Sequence, residues 1–507
     1  MHVTEHEAGA DVLFGSSGSA LVAGERAATV TTHTPFPIAM LGVPFDSLTV
    51  SGAIGIIQRM VESRKPHQIV TANVDFLVQA MHDIELHRIL VESHLVLCDG
   101  TPLVWASRFL GNRLPERVAG ADLVPLLVRL AAEKQYRLFF LGGAPEVTAQ
   151  AVANLRDQYP RLHIVGCYSP PFAELLDMDH DEIRRQVLQA QPDLLFVSFG
   201  CPKAEKWIAM HYRSLGVPVT IGVGATIDFL AGRVKRAPVC IQKSGTEWIF
   251  RLLQEPRRLG PRYFDDLRHF GRAIVAQWWR MHGGSSKRLP ARCSVVKDNP
   301  SWHCIEVKVR LDAATVRSHA ALWERATRKH CLLDLAAVEF IDSTGLGLLL
   351  RLERSLRAAG RRLILLAPGP SVRRALQSVR LQDFFLHADN LDDACQFLHA
   401  WDAEAPVSVN GAVDSFAWRG DITAANSDEV WRLTEAQLES MRPADGYLRI
   451  DLAQVRFIDS AGARLMLRAR QHAQRRGLCL RFKSAPTAVR NVLQHARLED
   501  ILLGGVL

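Results

Sequence analysis

IVTANVDF (69–76), LVLCDGTPLVWASR (95–108), LFVSFGCPKAEKW (195–207) and TIGVGATIDFLAG (220–232) share one construction. An apolar run of strand length meets a short polar or glycine-bearing break, and a helix-forming stretch follows. In open α/β sheets, ligands bind in the crevice outside the carboxyl ends of the strands. Thr71, Asn73, Asp99, Lys203, Glu205 and Asp228 all fall at such ends, so one shared crevice and an enzymatic function are expected. The same alternation runs over residues 36–250 and predicts an α/β fold with a Rossmann-like, mainly parallel sheet. The strands are expected at 67–71, 94–98, 137–141, 162–166, 193–199 and 218–223.

A chain of 507 residues exceeds one ordinary domain, so three or four are expected. Its 48% hydrophobic and 22% charged residues are those of a globular protein. No run approaches the roughly 18 apolar residues of a membrane-spanning helix. Residues 1–35, rich in Gly, Ala, Ser and Thr, read as a disordered leader without a basic start or apolar core. The nine cysteines are scattered without a C-x-x-C pair, which argues against a disulfide framework or zinc site and for a reducing cytoplasm. The net charge of +8 is concentrated: ten Lys or Arg fall within 251–292, among Phe264, Phe270, Trp278 and Trp279. Arginines with large aromatics suit an interfacial membrane segment, and equally a helical extension packed on its own domain. Nucleic acid is not an expected partner, since no nucleic-acid motif accompanies the charge.

After a linker, expected at 283–299, the chain repeats itself. DLAAVEFIDSTG (334–345) matches DLAQVRFIDSAG (451–462) at nine of twelve positions. VRRALQSVRLQDFFL (372–386) matches VRNVLQHARLEDILL (489–503) at eight of fifteen. Both pairs share an offset of 117 residues, the mark of a duplicated domain. The units are expected at 300–400 and 408–507. In each, a buried strand leads through Phe-Ile-Asp-Ser into a helix (345–359 or 461–475), with the serine at the N-cap.

Asp99 follows an apolar strand, and Gly100 frees the turn. An ionised carboxylate there can take a proton from an attacking hydroxyl. It can also simply cap the helix beginning near Pro102. Gly142 and Gly143, before Pro145, form a turn whose free N–H groups can hold a diphosphate; a plain tight turn fits as well. Arg117 and Arg236 can neutralise phosphate or form surface ion pairs. The acidic run DMDHDE (177–182) is expected to be a solvated helix start rather than a metal site.

TANVDF, CDGTPLVW, ERVAGADL, FFLGGAP, GCPKAEKW, GVGATIDFLAGRVKRAP and GTEWIFRLLQEPRRLGPRY occur in this order, and residues 38–265 resemble the WecG/TagA/CpsF family of bacterial glycosyltransferases. The resemblance implies inverting transfer of a hexose-type sugar, such as N-acetylmannosamine or its uronic acid, from a UDP-sugar to a polyprenyl-diphosphate-linked saccharide. That chemistry would serve exopolysaccharide or surface-glycan synthesis at the inner face of the cytoplasmic membrane. It implies Asp99 as general base, a crevice lined by Thr71 and Asn73, and Arg117 facing the diphosphate. The extension at 245–282 would close over the site and touch membrane. No metal or cofactor is implied; the UDP-sugar is the donor substrate. Ala204 stands where the family has Gln and Ala225 where it has Gly, which opens a second reading: a weakened transferase serving as a sugar-nucleotide sensor. FIDSTGLGLLL (340–350) and FIDSAGARLML (457–467) resemble the STAS domains of anti-sigma-factor antagonists. That resemblance implies phosphorylation at Ser343 or Thr344 and at Ser460, by a serine kinase or with an anti-sigma-type partner, in a module regulating the transferase. A homo-oligomer would be needed if a neighbouring chain completed the crevice.

Overall fold

The computed structural model describes residues 35–234, 237–238, 247–254, 256–282, 291–401, 406–409, 414–441 and 446–504. The expected leader therefore lies outside the described residues except for Pro35, as do 283–290 of the expected linker. The chain opens with a hairpin, β1 (Ile38–Met40) and β2 (Val43–Phe45). Leu41 and Gly42 turn it, both with positive φ, as a two-residue turn of matching twist requires.

The six expected strands are all present: β3 (His67–Ala72), β4 (Leu95–Cys98), β5 (Arg137–Gly142), β6 (His163–Tyr168), β7 (Leu194–Ser198) and β8 (Val219–Gly222). They form one sheet in the order β4-β3-β8-β7-β5-β6, every pair parallel. The helices are α1 (Val50–Glu62), α2 (Val74–Ala80), α3 (Ile84–Glu92), α4 (Thr101–Phe109), α5 (Gly120–Lys134), α6 (Pro145–Gln158), α7 (His180–Ala190), α8 (Lys203–Leu215) and α9 (Thr226–Leu230). Ile69, Leu97, Phe140 and Phe196 fill one face of the sheet against α1, α5 and α6. Val70, Val96 and Cys98 fill the other against α2 to α4. Both faces are covered except along the edge strand β6, which is why the other strands read as unbroken apolar runs rather than alternating ones. The extension follows as α10 (Glu247–Gln254) and α11 (Pro256–His282). Within DMDHDE, Asp179 caps α7 by accepting from the Glu182 N–H, so the run is a helix start.

The first repeat holds β9 (Arg292–Asp298), β10 (Trp302–Leu311), α12 (Ala313–Ser318), α13 (Ala320–Ala326), β11 (His330–Asp334), β12 (Val338–Ile341), α14 (Ser343–Ala358), β13 (Leu363–Leu366), α15 (Pro370–Ser378), β14 (Leu386–Ala388) and α16 (Leu391–Trp401). Its strand order is β12-β10-β11-β13-β14, with β9 antiparallel to β10. Residues 292–298, expected as linker, are thus an edge strand; their exposure leaves no apolar alternation to read. The second repeat holds β15 (Val407–Val409), β16 (Ser415–Ile422), α17 (Ser427–Ser440), β17 (Tyr447–Ile458), α18 (Ser460–Arg475), β18 (Cys479–Lys483), α19 (Thr487–His495) and α20 (Glu499–Leu502). Its sheet runs β15-β16-β17-β18.

One correction applies to both repeats. The N-caps are Asp342, accepting from Thr344 and Gly345 N–H, and Asp459, accepting from Gly462 N–H. The serines are the first helical residues.

Candidate active site

The carboxyl ends of β4, β3 and β8 are adjacent, and there the polar residues converge. Gly120, at the start of α5, marks the centre. A Cβ on Gly120 would lie 3.2 Å from Thr71 Oγ1 and 3.8 Å from both Asp99 Oδ2 and Thr226 Oγ1. Asp99 does not cap α4: Gly100 occupies the cap with no side-chain hydrogen bond. Instead Asp99 Oδ2 accepts from Gly120 N–H at 3.2 Å, so the carboxylate faces the first turn of a 15-residue helix, where the dipole favours its ionised form. A Cβ on Gly100 would come within 4.0 Å of the Asn73 Cβ. Asn73 Oδ1 accepts from Phe76 N–H to cap α2. Thr71, Asn73, Asp99 and Gly100 are therefore brought together. Gly120 and Thr226 join them; they open helices α5 and α9 rather than ending a strand, so the strand-end reading passed over them.

Gly142 and Gly143 form the tight turn after β5, both with positive φ. A Cβ on Gly142 would lie 2.6 Å from Ser198 O, and one on Gly143 2.8 Å from Thr148 Oγ1. The turn opens onto α6, which has no side-chain cap. Glu205 is 4% exposed and lies against the end of β8, its Oε1 2.6 Å from where a Gly222 Cβ would be. Burial pushes its carboxyl up to about 7, and among the described residues its Oε2 accepts no hydrogen bond. Lys203 turns away, donating to Ala173 O beside the Phe172 ring. Asp228 is half-buried in α9. Arg117 is held by Asp122 at 2.7 Å and by Glu247 at 2.9 Å; its charge is shared by two carboxylates, which ties the extension helix α10 to the crevice. Arg236 lies outside the described residues. Among the described residues no group of three or more His, Cys, Asp or Glu is placed to hold a metal.

Residues 38–283 match the model of the Glycosyl transferase WecG/TagA/CpsF family, 299–394 that of the STAS domain, and 407–504 that of the Mlab, STAS domain. An N-acetylglucosaminyldiphosphoundecaprenol N-acetyl-beta-D-mannosaminyltransferase of Bacillus subtilis (strain 168) is 30% identical over 217 residues, covering 43% of this chain and 83% of that protein. The chain belongs to the WecG/TagA/CpsF glycosyltransferase family. The enzyme of the same name from Bacillus spizizenii is 32% identical over 198 residues, covering 39% of this chain and 75% of the relative. The solved anti-sigma factor antagonist SpoIIAA in its unphosphorylated form aligns with 22% of this chain and 98% of its own, at 22% identity and a TM-score of 0.19.

The STAS turns are not exposed. Ser343, Thr344 and Ser460 are 0%, 6% and 4% accessible, and transferase-domain residues bond Ser343 and Ser460. Asn112, past the end of α4, donates from Nδ2 to Ser343 Oγ at 2.9 Å and to Asp342 Oδ2 at 3.0 Å. Glu85 of α3 accepts from Ser460 Oγ at 2.8 Å and from Ser460 N–H. Lys206 of α8 pairs with Glu85 at 2.9 Å and Asp83 at 2.7 Å. The hydroxyls expected as phosphoacceptors are thus buried in the docked arrangement, and their modification would need the contacts with Asn112 and Glu85 to open.

The first STAS domain is packed more intimately still. Ala39, Val91 and Met281 of the transferase domain belong to its core. A Cβ on Gly347 would lie 2.0 Å from Pro37 O, so the entering chain crosses α14 where only glycine fits.

The buried stripe of α11 is Phe270, Ile274, Gln277 and Met281, spaced as one helix face. Gln277 fixes the hairpin, its Nε2 donating to Ala39 O and its Oε1 accepting from Leu41 N–H. The opposite face exposes Phe264, Leu267, Val275 and Trp279 with Arg268, Arg272 and Arg280. Trp105 and Phe109 of α4 are exposed nearby, Phe109 stacking 5.5 Å from Trp278.

Proposed function

We propose that the chain transfers N-acetylmannosamine or a related hexose from a UDP-sugar to a polyprenyl-diphosphate-linked saccharide, with inversion. The observation that carries this reading is the convergence of Asp99, Thr71 and Thr226 around Gly120, with Asn73 against Gly100, at the carboxyl edge of the sheet. It is supported by relatives named for transfer to a diphosphoundecaprenol-linked sugar. Asp99 takes the proton of the acceptor hydroxyl as its oxygen attacks the anomeric carbon, and UDP leaves with the bonding electrons. The donor diphosphate is held at the Gly142-Gly143 turn and the uncapped start of α6. In this reading Glu205, whose carboxyl burial holds at about 7, hydrogen-bonds the donor. The apolar, arginine-edged face of α4 and α11 lies on anionic membrane and brings the lipid-linked acceptor to the crevice. The STAS pair regulates: its two turns seat on α3 and beyond α4, whose neighbouring elements carry Asn73 and Asp99.

Asp99→Asn, assayed as acceptor-dependent UDP release from a panel of UDP-sugars with a synthetic lipid-diphosphate acceptor, is expected to lose roughly 10²–10⁴-fold in kcat, the usual contribution of a general base. UDP affinity should be nearly unchanged. Equal activity in the variant refutes the base. UDP binding in the wild type without transfer from any donor favours the sensor reading, which Ala204, buried beside Glu205, motivates.

A further inference from the structure

A cavity of about 520 Å³ opens where the transferase domain and both STAS domains meet, away from the Asp99 cluster and within the usual size of ligand pockets, about 300–1,000 Å³. All three domains supply arginines to it: Arg88 and Arg213, then Arg354, Arg357 and Arg362, then Arg419. Four carboxylates face them: Glu92, Glu353, Asp421 and Glu429.

Two of these acids are already committed. Arg88 pairs with Glu92 at 2.8 Å and with Asp421 at 2.5 Å. Arg357 bonds the same two carboxylates, and Arg456 reaches Asp421 at 3.4 Å. Positive charge remains. Arg354 pairs with Asp46 at 3.9 Å and donates to Val91 O and His94 O, but its buried Nη2, like the Nε of Arg419, makes no hydrogen bond among the described residues. Arg213 makes no ion pair among them either, stacking only on Tyr212 at 4.5 Å. Burial first, and then the neighbouring Arg357 cation, push Arg362 down to about 10, as expected of a guanidinium crowded by like charge. The remaining wall is Thr423, Ala425 and Asn426, the approach to α17, a 14-residue helix whose N-terminus has no side-chain cap. Guanidinium N–H groups left without a bond, and an uncapped helix start lining the same cavity, are complementary to phosphate oxygens.

We propose that this junction binds a small polyanion of nucleotide size, carrying two or more phosphate groups, which bridges the three domains. The inference stands whether or not the chain transfers sugar, since it uses none of the crevice residues. The phosphates sit between Arg419 and Arg213, and the ligand locks the docked arrangement by adding contacts that exist only while all three walls are together.

The test uses the full chain in chloride buffer, with inorganic pyrophosphate, ATP and GTP as probes, by calorimetry and hydrogen exchange. Binding of at least one probe is expected, with slowed exchange over 419–429 and in α14. In Arg213→Gln/Arg419→Gln, affinity should fall roughly tenfold or more, the loss expected from removing charge-assisted bonds. Arg213→Gln alone changes an exposed side chain and leaves folding intact, and it should show part of that loss. Absence of binding by all three probes to millimolar concentration overturns the proposal. So does affinity unchanged from wild type in both variants, because the probe would then sit elsewhere, for example in the sugar-nucleotide crevice.

Discussion

Removing Glu85 should weaken, without abolishing, the docking of the second STAS domain. Both partners of the contact are buried, Glu85 3% and Ser460 4% exposed. Ser460→Ala deletes the 2.8 Å bond from Oγ to Glu85 Oε2 while keeping the backbone donor, so a double-mutant cycle with Glu85→Ala isolates that bond. A hydrogen bond to a charged group contributes about 1.5–3 kcal/mol, equivalent to roughly tenfold to a hundredfold in the opening equilibrium. The neighbouring Asp459 modulates the value. Burial, and after it the Glu85 charge, raise Asp459 from 3.8 to about 7. A carboxyl whose folded value is raised adds stability below its unfolded value and loses it as pH rises through the folded one. Docking should therefore weaken between pH 4 and 7, and Glu85→Ala should flatten that dependence, because one of its two causes is gone. Native-state hydrogen exchange of the first turns of α18, in the four proteins and across pH, measures both. A coupling indistinguishable from zero, or protection that grows with pH, refutes the reasoning.

Two further outcomes are expected. Burial holds Glu205 at about 7, above its ordinary 4.5, so wild-type stability should fall as pH rises through 7; Glu205→Gln should melt higher than wild type above pH 7 and alike below pH 5, read by thermal unfolding in a pH series. Phe264→Ser and Trp279→Ser, on the exposed face of α11, should each reduce cosedimentation with anionic vesicles several-fold without lowering the melting temperature; undiminished binding removes this face from the membrane.

The sheet was legible because strands buried on both faces leave continuous apolar runs, and β3 through β8 fall where those runs predict. The duplication was legible from its constant offset. What escaped was contact between domains, which imposes no period on either partner. Asp99 shows the limit within one domain: its partner, the Gly120 N–H, is 21 residues away, and local capping rules pointed to α4 instead. The serines show it between domains, since nothing around Ser460 announces Glu85. One trace was present. Gly347 corresponds to Arg464 at the repeat offset, and the glycine belongs to the copy over which Pro37 passes.

Two copies of one turn, seated on two patches of the same domain, make a lock with two keys. While Asn112 holds the first STAS domain, the second can leave Glu85 only to diffuse within reach of it, at an effective concentration set by the tether. A modification or ligand that frees one turn is therefore largely reversed by the other. Full release needs both contacts broken together, so the module is expected to answer to the coincidence of two signals and to ignore either alone.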